Sequence, residues 1–157
     1  MATTKNNNHF IFIAVYLSNF VRQDLTIKAM ESSIIELNKN GIKVRILLFH
    51  FTDEQGVHFI YSPHLDVTGY GYSLADAKKS FEIVFEDFLD YTLKKGTLGG
   101  LLKKLGWKQQ KGSLKKPLKS LAPSITSVIA NNKHIAEIFD KYPLHTYYQE
   151  VELPLAV

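Results

Sequence analysis

KVRILLFHFTDEQGVHFIYSPHLDVTGYGYSLADA, residues Lys43 to Ala77, is the stretch on which the fold turns. Its opening run, Lys43 to Phe51, and the run VHFIYS from Val57 to Ser62 are dense in β-branched and aromatic side chains, the composition of strands. Between them, Thr52-Asp53-Glu54-Gln55-Gly56 is polar and holds a glycine, which suits a hairpin connection of this length. A turn centred on Glu54 sets His50 opposite His58 and Phe49 opposite Phe59. Both faces of the hairpin then carry large apolar groups. Both need cover, by a helix on one side and with the other open to a partner.

Pro63 ends the second strand, and HLDVTGYGY from His64 to Tyr72 reads as a short third strand with a bend. Ser73 then caps the longest helix, with Asp76 three residues on. Leu74, Ala77, Phe81, Val84, Phe85, Phe88 and Tyr91 or Thr92 form its apolar stripe. Lys78, Lys79, Glu82, Glu86, Asp87 and Asp90 take the other face, and Gly96 closes it.

Outward from this unit the signals are shorter. Toward the N-terminus, His9 to Leu17 reads as a strand. Asp24 then caps a helix that carries Ile27, Met30, Ile34 and Leu37 and stops at Asn40-Gly41. Toward the C-terminus, Thr97 to Leu105 makes a short helix. The stretch from Lys108 to Ser120, rich in Lys, Gly and Ser, reads as a linker. Ser124 to Asn131 and Asn132 to Lys141 are two short helices, and Thr146 to Leu153 is a final strand. The expected fold is α+β: an antiparallel, hairpin-based sheet of roughly three to five strands with one long helix packed on a face, followed by short helices and a last strand. One domain spans 1–157, with an N-terminal strand–helix extension (1–42), the core unit (43–95), the linker (108–120) and the C-terminal helices and strand (121–157).

Composition excludes several chemistries. The chain has no cysteine, which removes disulfides, thiolate nucleophiles and cysteine-based zinc sites. The apolar run near Phe10 to Leu17 falls well short of the roughly 20 residues a bilayer-crossing helix needs, and no small-residue cleavage site follows it. A cytoplasmic protein without a membrane segment is the expectation.

No G-x-S-x-G and no phosphate-loop glycine pattern occurs; Gly69-Tyr70-Gly71 lacks a third glycine, and Gly99-Gly100 leads into no Gly-Lys-Ser/Thr. His50, His58 and His64 with Asp66 could converge as a metal set, but the plainer reading places them at strand edges and in a solvated loop. The acids lie mainly on one helix face, the pattern of a solvated surface. The expectation is therefore a protein with no catalytic residues, no metal and no cofactor.

Charge is the remaining signal. Ten of the 19 basic residues are lysines between Tyr91 and His134, a span without a single acid, so nine basic residues are left against all 15 acids elsewhere. Lys103, Lys104, Lys108, Lys111, Lys115 and Lys116 could follow a phosphate backbone within the segment Lys94 to Lys119, with Trp107 as a stacking platform. The block holds no arginine, and a soluble lysine linker fits equally. The two helices from Ser124 to Lys141 could form a helix-turn-helix, although Ile125, Val128, Ile129, Ile135, Ile138 and Phe139 suit packing better.

YSPHLDVTGYGYSLADA, carrying Tyr61, Pro63, Leu65, Gly71, Ser73, Asp76 and Ala77, resembles the HicB-like antitoxins over about residues 43–95. In place of the usual Leu-Pro-Gly-Cys run stands Leu65-Asp66-Val67-Thr68. No arginine-rich ribbon follows, so the family's DNA-binding tail does not carry over. The resemblance implies a non-catalytic protein that binds and blocks a small RNA-cleaving toxin of the HicA type, in that family often as a homo-oligomer. Phe49, Phe59, Tyr61, Tyr70 and Tyr72 are the expected aromatic anchors for such a partner, with about half of them needed for the core. Nucleic-acid binding through the lysine segment is the alternative.

Overall fold

The computed structural model describes residues 32–113 and 117–154. The chain separates into two compact units, residues 1–31 and Ser32–Val157, and everything described belongs to the second. The expected strand from His9 to Leu17 and the opening of the expected helix after Asp24 lie outside the described residues.

The architecture is α+β. Among the described residues one antiparallel sheet holds β1 (Ile34–Asn38), β2 (Gly41–Thr52), β3 (His58–Ser62), β4 (Val67–Gly71), β5 (Lys108–Gln110), β6 (Leu118–Leu121) and β7 (His145–Pro154). The helices are α1 (Leu74–Lys94), α2 (Leu98–Lys104), α3 (Ile125–Asn131) and α4 (Lys133–Lys141). The seven-stranded sheet is larger than expected, and two corrections account for the growth.

First, Ile34 to Asn38 is a strand and not the end of a helix. Ile35 and Leu37 alternate with Ile34 and Glu36, and β1 has a strand on each side, β2 and β6. The Asn38 side chain accepts hydrogen bonds from the backbone N–H of Asn40 and Gly41, at 2.7 and 3.1 Å, and so folds the connection into a tight hairpin. Gly41 does not close a helix. A Cβ there would run into the Leu153 carbonyl of β7.

Second, the stretch expected as a linker is itself a hairpin. Lys108–Gln110 pairs with Lys119–Leu121, and Leu118–Leu121 pairs in turn with β1.

The twelve-residue β2 organises the rest. A strand residue has room for one partner on each edge. Arg45 pairs with both Ile34 and Glu150, and Phe49 with both Tyr61 and Thr146. Strands β1 and β3 therefore lie end to end along one edge of β2, while β7 runs along the other. The β2–β3 register differs from the expected one: Phe51 faces Phe59 and Thr52 faces His58. The reason lies in the loop, where the Asp53 carboxylate accepts from the N–H groups of Gln55 and Val57, both at 2.9 Å, and Gly56 takes a left-handed conformation at φ 81°. This moves the turn one residue along. The displacement preserves the parity of the strands, so each side chain keeps its expected face.

On one face Ile35, Ile42, Val44, Ile46, Leu48 and Ile60 meet Ala77, Phe81, Phe85 and Leu89 of α1. Ser73 caps α1 by accepting from the Asp76 N–H at 3.1 Å. The buried stripe of α1 is Ala77, Phe81, Phe85, Leu89 and Thr92; of the expected pair Tyr91 or Thr92 it is Thr92 that turns inward, whereas Leu74 and Val84, expected in the stripe, are exposed. The helix lies close to β4: a Cβ on Gly69 would strike the Phe81 backbone, and one on Gly71 would sit 2.5 Å from the Asp76 Cβ. These glycines are packing positions.

The opposite face was expected to await a partner. Over its upper half it is covered by the chain itself, with Phe139 edge-on to Phe49 at 5.2 Å and Tyr142 parallel to Phe51 at 5.1 Å. Ile135 and Ile138 of α4 are buried with them, so the two short helices serve packing. The lower half is polar, crossed by ion pairs from Lys43 to Glu152, Arg45 to Glu150 and Lys119 to Glu36. All are solvated, and such pairs contribute little to stability.

Gly69→Ala is expected to lower unfolding stability by about 1–3 kcal/mol, because the new methyl has to push α1 off the sheet. Gly100→Ala in α2, where a Cβ meets nothing within 4 Å, is expected to raise it by about 0.5–1 kcal/mol. Urea unfolding of the two variants beside the parent chain measures both.

Candidate interaction surface

Seven large apolar side chains stand exposed among the described residues, and six of them belong to β4, α1 and the connection between these two: Tyr70, Tyr72, Leu74, Ile83, Val84 and Tyr91. Strand alternation turns Tyr70 to the face away from α1, where it extends a row of rings. Tyr70 lies 6.3 Å from Phe59, Phe59 lies 5.1 Å from Phe51, and Phe51 meets Tyr142. The row runs from solvent at Tyr70 into the core at Phe51. On α1, Ile83 and Tyr91 stand two turns apart on the outward side, and Val84 borders the buried stripe. Ser80 joins helix to strand through its hydroxyl, which accepts from the Tyr70 N–H at 3.3 Å.

Of the aromatic residues expected to anchor a partner, Tyr70 and Tyr72 are available, at 64% and 88% exposure, and Phe59 is half-buried. Phe49 and Tyr61 are core residues, at 0% and 2%. Phe49 is sealed by α4. The Tyr61 hydroxyl donates to Asp66 at 3.0 Å, and burial together with that carboxylate pushes its pKa up. Ile83, Val84 and Tyr91 are added to the exposed set by the structure. Their signal was in the run FEIVFEDFLDY, which carries more large apolar residues than one side of a helix can bury.

The convergence of His50, His58, His64 and Asp66 that the sequence left open is only half realised, and His64, read more plainly as part of a solvated loop, is buried. His50 Nε2 lies 3.1 Å from His58 Nδ1 with the rings nearly parallel, and the Thr52 hydroxyl lies 3.3 Å from the same His58 nitrogen. His64 is elsewhere. His145 takes its place, directly opposite His50 across the β2–β7 ladder with ring centroids 5.8 Å apart. Only tertiary pairing brings His145 there. Burial, His58, His145 and Lys78 together lower the His50 pKa. Among the described residues no group of three His, Asp or Glu side chains is placed to hold a metal ion.

His64 sits in a second polar cluster that no motif announced. Between the stretches of β2 paired with β1 and β3, the Leu47 N–H is taken by the Ser33 hydroxyl at 2.8 Å, and the same oxygen lies 2.7 Å from His64 Nδ1. The Trp107 indole N–H donates to the His64 carbonyl at 2.8 Å. A serine hydroxyl against an imidazole is half of a nucleophilic arrangement. Here Ser33 is 0% and His64 2% exposed, and the hydroxyl is occupied with the β2 backbone. The arrangement seals the sheet.

The lysine segment is also redistributed. Lys103 and Lys104 end α2, and Lys108 and Lys111 are exposed at and just past β5. Lys115 and Lys116 lie outside the described residues. Trp107, expected as a stacking platform, is 3% exposed and committed to His64, so it offers no face to a base. Beside α2 an open groove of about 220 Å³, lined by Leu37, Leu93, Leu98, Leu118 and Gln109 among others, contains no titratable side chain. No helix among the described residues is long and apolar enough to cross a membrane.

No family model, curated protein or solved structure matches this chain.

Burial holds His64 neutral, lowering its pKa from 6.5 to about 4. The unfolded chain then binds a proton that the folded chain refuses, so stability is flat above pH 6.5 and falls as pH drops below it. The expected loss is about 2 kcal/mol by pH 5, with His50 adding in the same direction. Urea midpoints at pH 7.5, 6.0 and 5.0 test this, and in His64→Gln the slope is expected to be shallower.

Proposed function

We propose that this chain is a non-catalytic, cytoplasmic interaction module of the HicB-like antitoxin kind, and that the surface formed by β4 and α1 binds and neutralises a small RNA-cleaving toxin. The observation that carries the reading is that six of the seven exposed large apolar side chains among the described residues belong to one strand–helix unit, Tyr72, Leu74, Ile83, Val84 and Tyr91 on α1 or its entry and Tyr70 on the opposite face of the sheet. Isolated exposed apolar residues need no explanation, but a concentration on one unit is how docking surfaces look. The same unit carries the sequence resemblance, whose small and capping residues have physical roles. Gly71 lets the helix start approach the strand, Ser73 caps α1, and Ala77 is buried against the sheet. Tyr72 and Tyr91, rigid and amphipathic, are the kind of residue that anchors such an interface.

A nucleic-acid contact is the second reading. Lys103, Lys104, Lys108 and Lys111 are exposed, and no carboxylate lies in salt-bridge range of them among the described residues. Two cations at the end of α2 and two at the β5 hairpin suit weak, salt-sensitive contact with phosphates.

If the first reading holds, co-expression with a small basic protein from the neighbouring reading frame relieves that protein's growth arrest, and the two co-purify. Tyr72→Ala and Tyr91→Asp are each expected to weaken the complex about 30-fold or more while leaving the circular dichroism spectrum unchanged. Failure of the pair to associate, or full binding by both variants, would sink it. For the second reading, fluorescence anisotropy with a labelled duplex should show binding that fades steeply between 50 and 200 mM salt, roughly. No binding at the low end removes it.

A further inference from the structure

Three of the chain's six histidines meet at one end of the sheet, where two ladders finish together. His145 opens β7 and forms the last pair of the β2–β7 ladder with His50. His58 opens β3 and forms the last pair of the β2–β3 ladder with Thr52. Strand alternation turns all three rings to the α1 side, where Lys78 lies over the ring of Tyr147, the next β7 residue on that face. The His50 and His58 rings meet nitrogen to nitrogen at 3.1 Å, with centroids 5.3 Å apart and planes 9° from parallel. That separation sets the rings edge to edge, so a single N–H bridges them and the facing nitrogen has to keep its lone pair. Acid undoes the arrangement. A first proton leaves the bridge standing as a charge-assisted bond, but a second takes the lone pair and sets cation against cation.

The electrostatic neighbours of His50 are His58 of β3, His145 of β7 and Lys78 of α1, each a cation or able to become one. Burial and these three together keep its pKa below the ordinary 6.5, so a form in which the rings separate binds protons more tightly than the closed one. The acids flanking Lys78 on α1 are turned to other groups: Asp76 accepts from the Ser73 hydroxyl at 2.6 Å, and Glu82 acts on Tyr147. Which piece gives way follows from how each is held. His58 follows a loop that the Asp53 carboxylate ties together. His145 follows Pro143, which has no N–H to give, and the chain before it is held to the hairpin by a solvated Lys141–Glu54 pair at 3.2 Å and by the Tyr142 ring on Phe51. We propose that His50, His58 and His145 form an acid-sensitive latch, whose charging frees the first residues of β7 and lifts Tyr142 from Phe51. α4 stays seated through Ile135, Ile138 and Phe139. The row of rings that is open to solvent at Tyr70 then opens at Phe51 as well, and acid lengthens the apolar face on that side of the sheet. The opening needs no partner, so it stands apart from the toxin-binding reading.

Amide hydrogen exchange on the full chain, corrected for the intrinsic pH dependence of exchange, tests the latch. Between about pH 7.5 and 5.5 the protection of residues 142–147 is expected to fall about tenfold or more beyond any change in the middle of β2. His145 is the exposed member of the three, so it can be replaced without disturbing the core. In His145→Gln the selective fall is expected to disappear. In His145→Glu, which offers His50 a carboxylate, protection is expected to hold or rise as pH falls. In His64→Gln the selective fall is expected to remain, which separates the latch from the loss of global stability assigned to His64. A uniform change across the sheet overturns the inference, as does a selective fall that persists in either His145 variant or vanishes in His64→Gln.

Discussion

The Leu47 N–H has to find an acceptor inside a sheet that forks around it. β2 gives one edge to β7 and divides the other between β1 and β3, and between those two lies a short stretch with no strand beside it. An amide left unpaired there would be buried, at a cost of about 1–3 kcal/mol. The Ser33 hydroxyl fills the gap, and through His64 and Trp107 the repair reaches the loop after β3 and the start of β5. The Ser33 carbonyl meanwhile takes the Ala122 N–H just after β6. One small polar side chain thus links both branches of the sheet, and its surroundings are buried enough to hold a histidine neutral well below its usual pKa.

With the fork closed, the two faces of β2 acquire different fates. The face of Ile42, Val44, Ile46 and Leu48 is covered by α1, and the close approach needed at β4 is possible because Gly69 and Gly71 have no side chains. The face of Leu47, Phe49 and Phe51 is covered where α4 and Tyr142 bring aromatic rings to it, and is left to solvated ion pairs elsewhere. A sheet with two apolar faces does not by itself imply a missing partner, because a chain of this size has helices enough to cover both. The surplus apolar side chains among the described residues lie instead on β4, on α1 and on the connection between them.

How much of this was legible in the residues depends on the range of the interaction. Ser73 with Asp76, Ser124 and Asn132 marked the starts of α1, α3 and α4 correctly because capping is settled within a few residues. Ile34 to Asn38 was misread because its apolar spacing satisfies a helix as well as a strand, and only strand partners on both sides decide the matter. The lysine stretch was misread for the opposite reason. A three-residue edge strand such as β5 has almost no pattern of its own and exists because β6 is there to receive it. Trp107 and Phe49 were offered to partners because aromatic character is visible in sequence while burial is not.

By itself the sequence determined the α+β class, the hairpin and its faces, the long capped helix, the C-terminal helices and last strand, and the absence of any thiol chemistry. Each of these follows from composition, from alternation or from contacts a few residues apart. The tertiary structure alone decided that β2 is shared by three strands, that His145 and not His64 stands beside His50, that Ser33 closes the fork, and which aromatic residues remain exposed. Those outcomes rest on pairings between residues tens of positions apart, where position in the chain carries no trace of the neighbour that will be met.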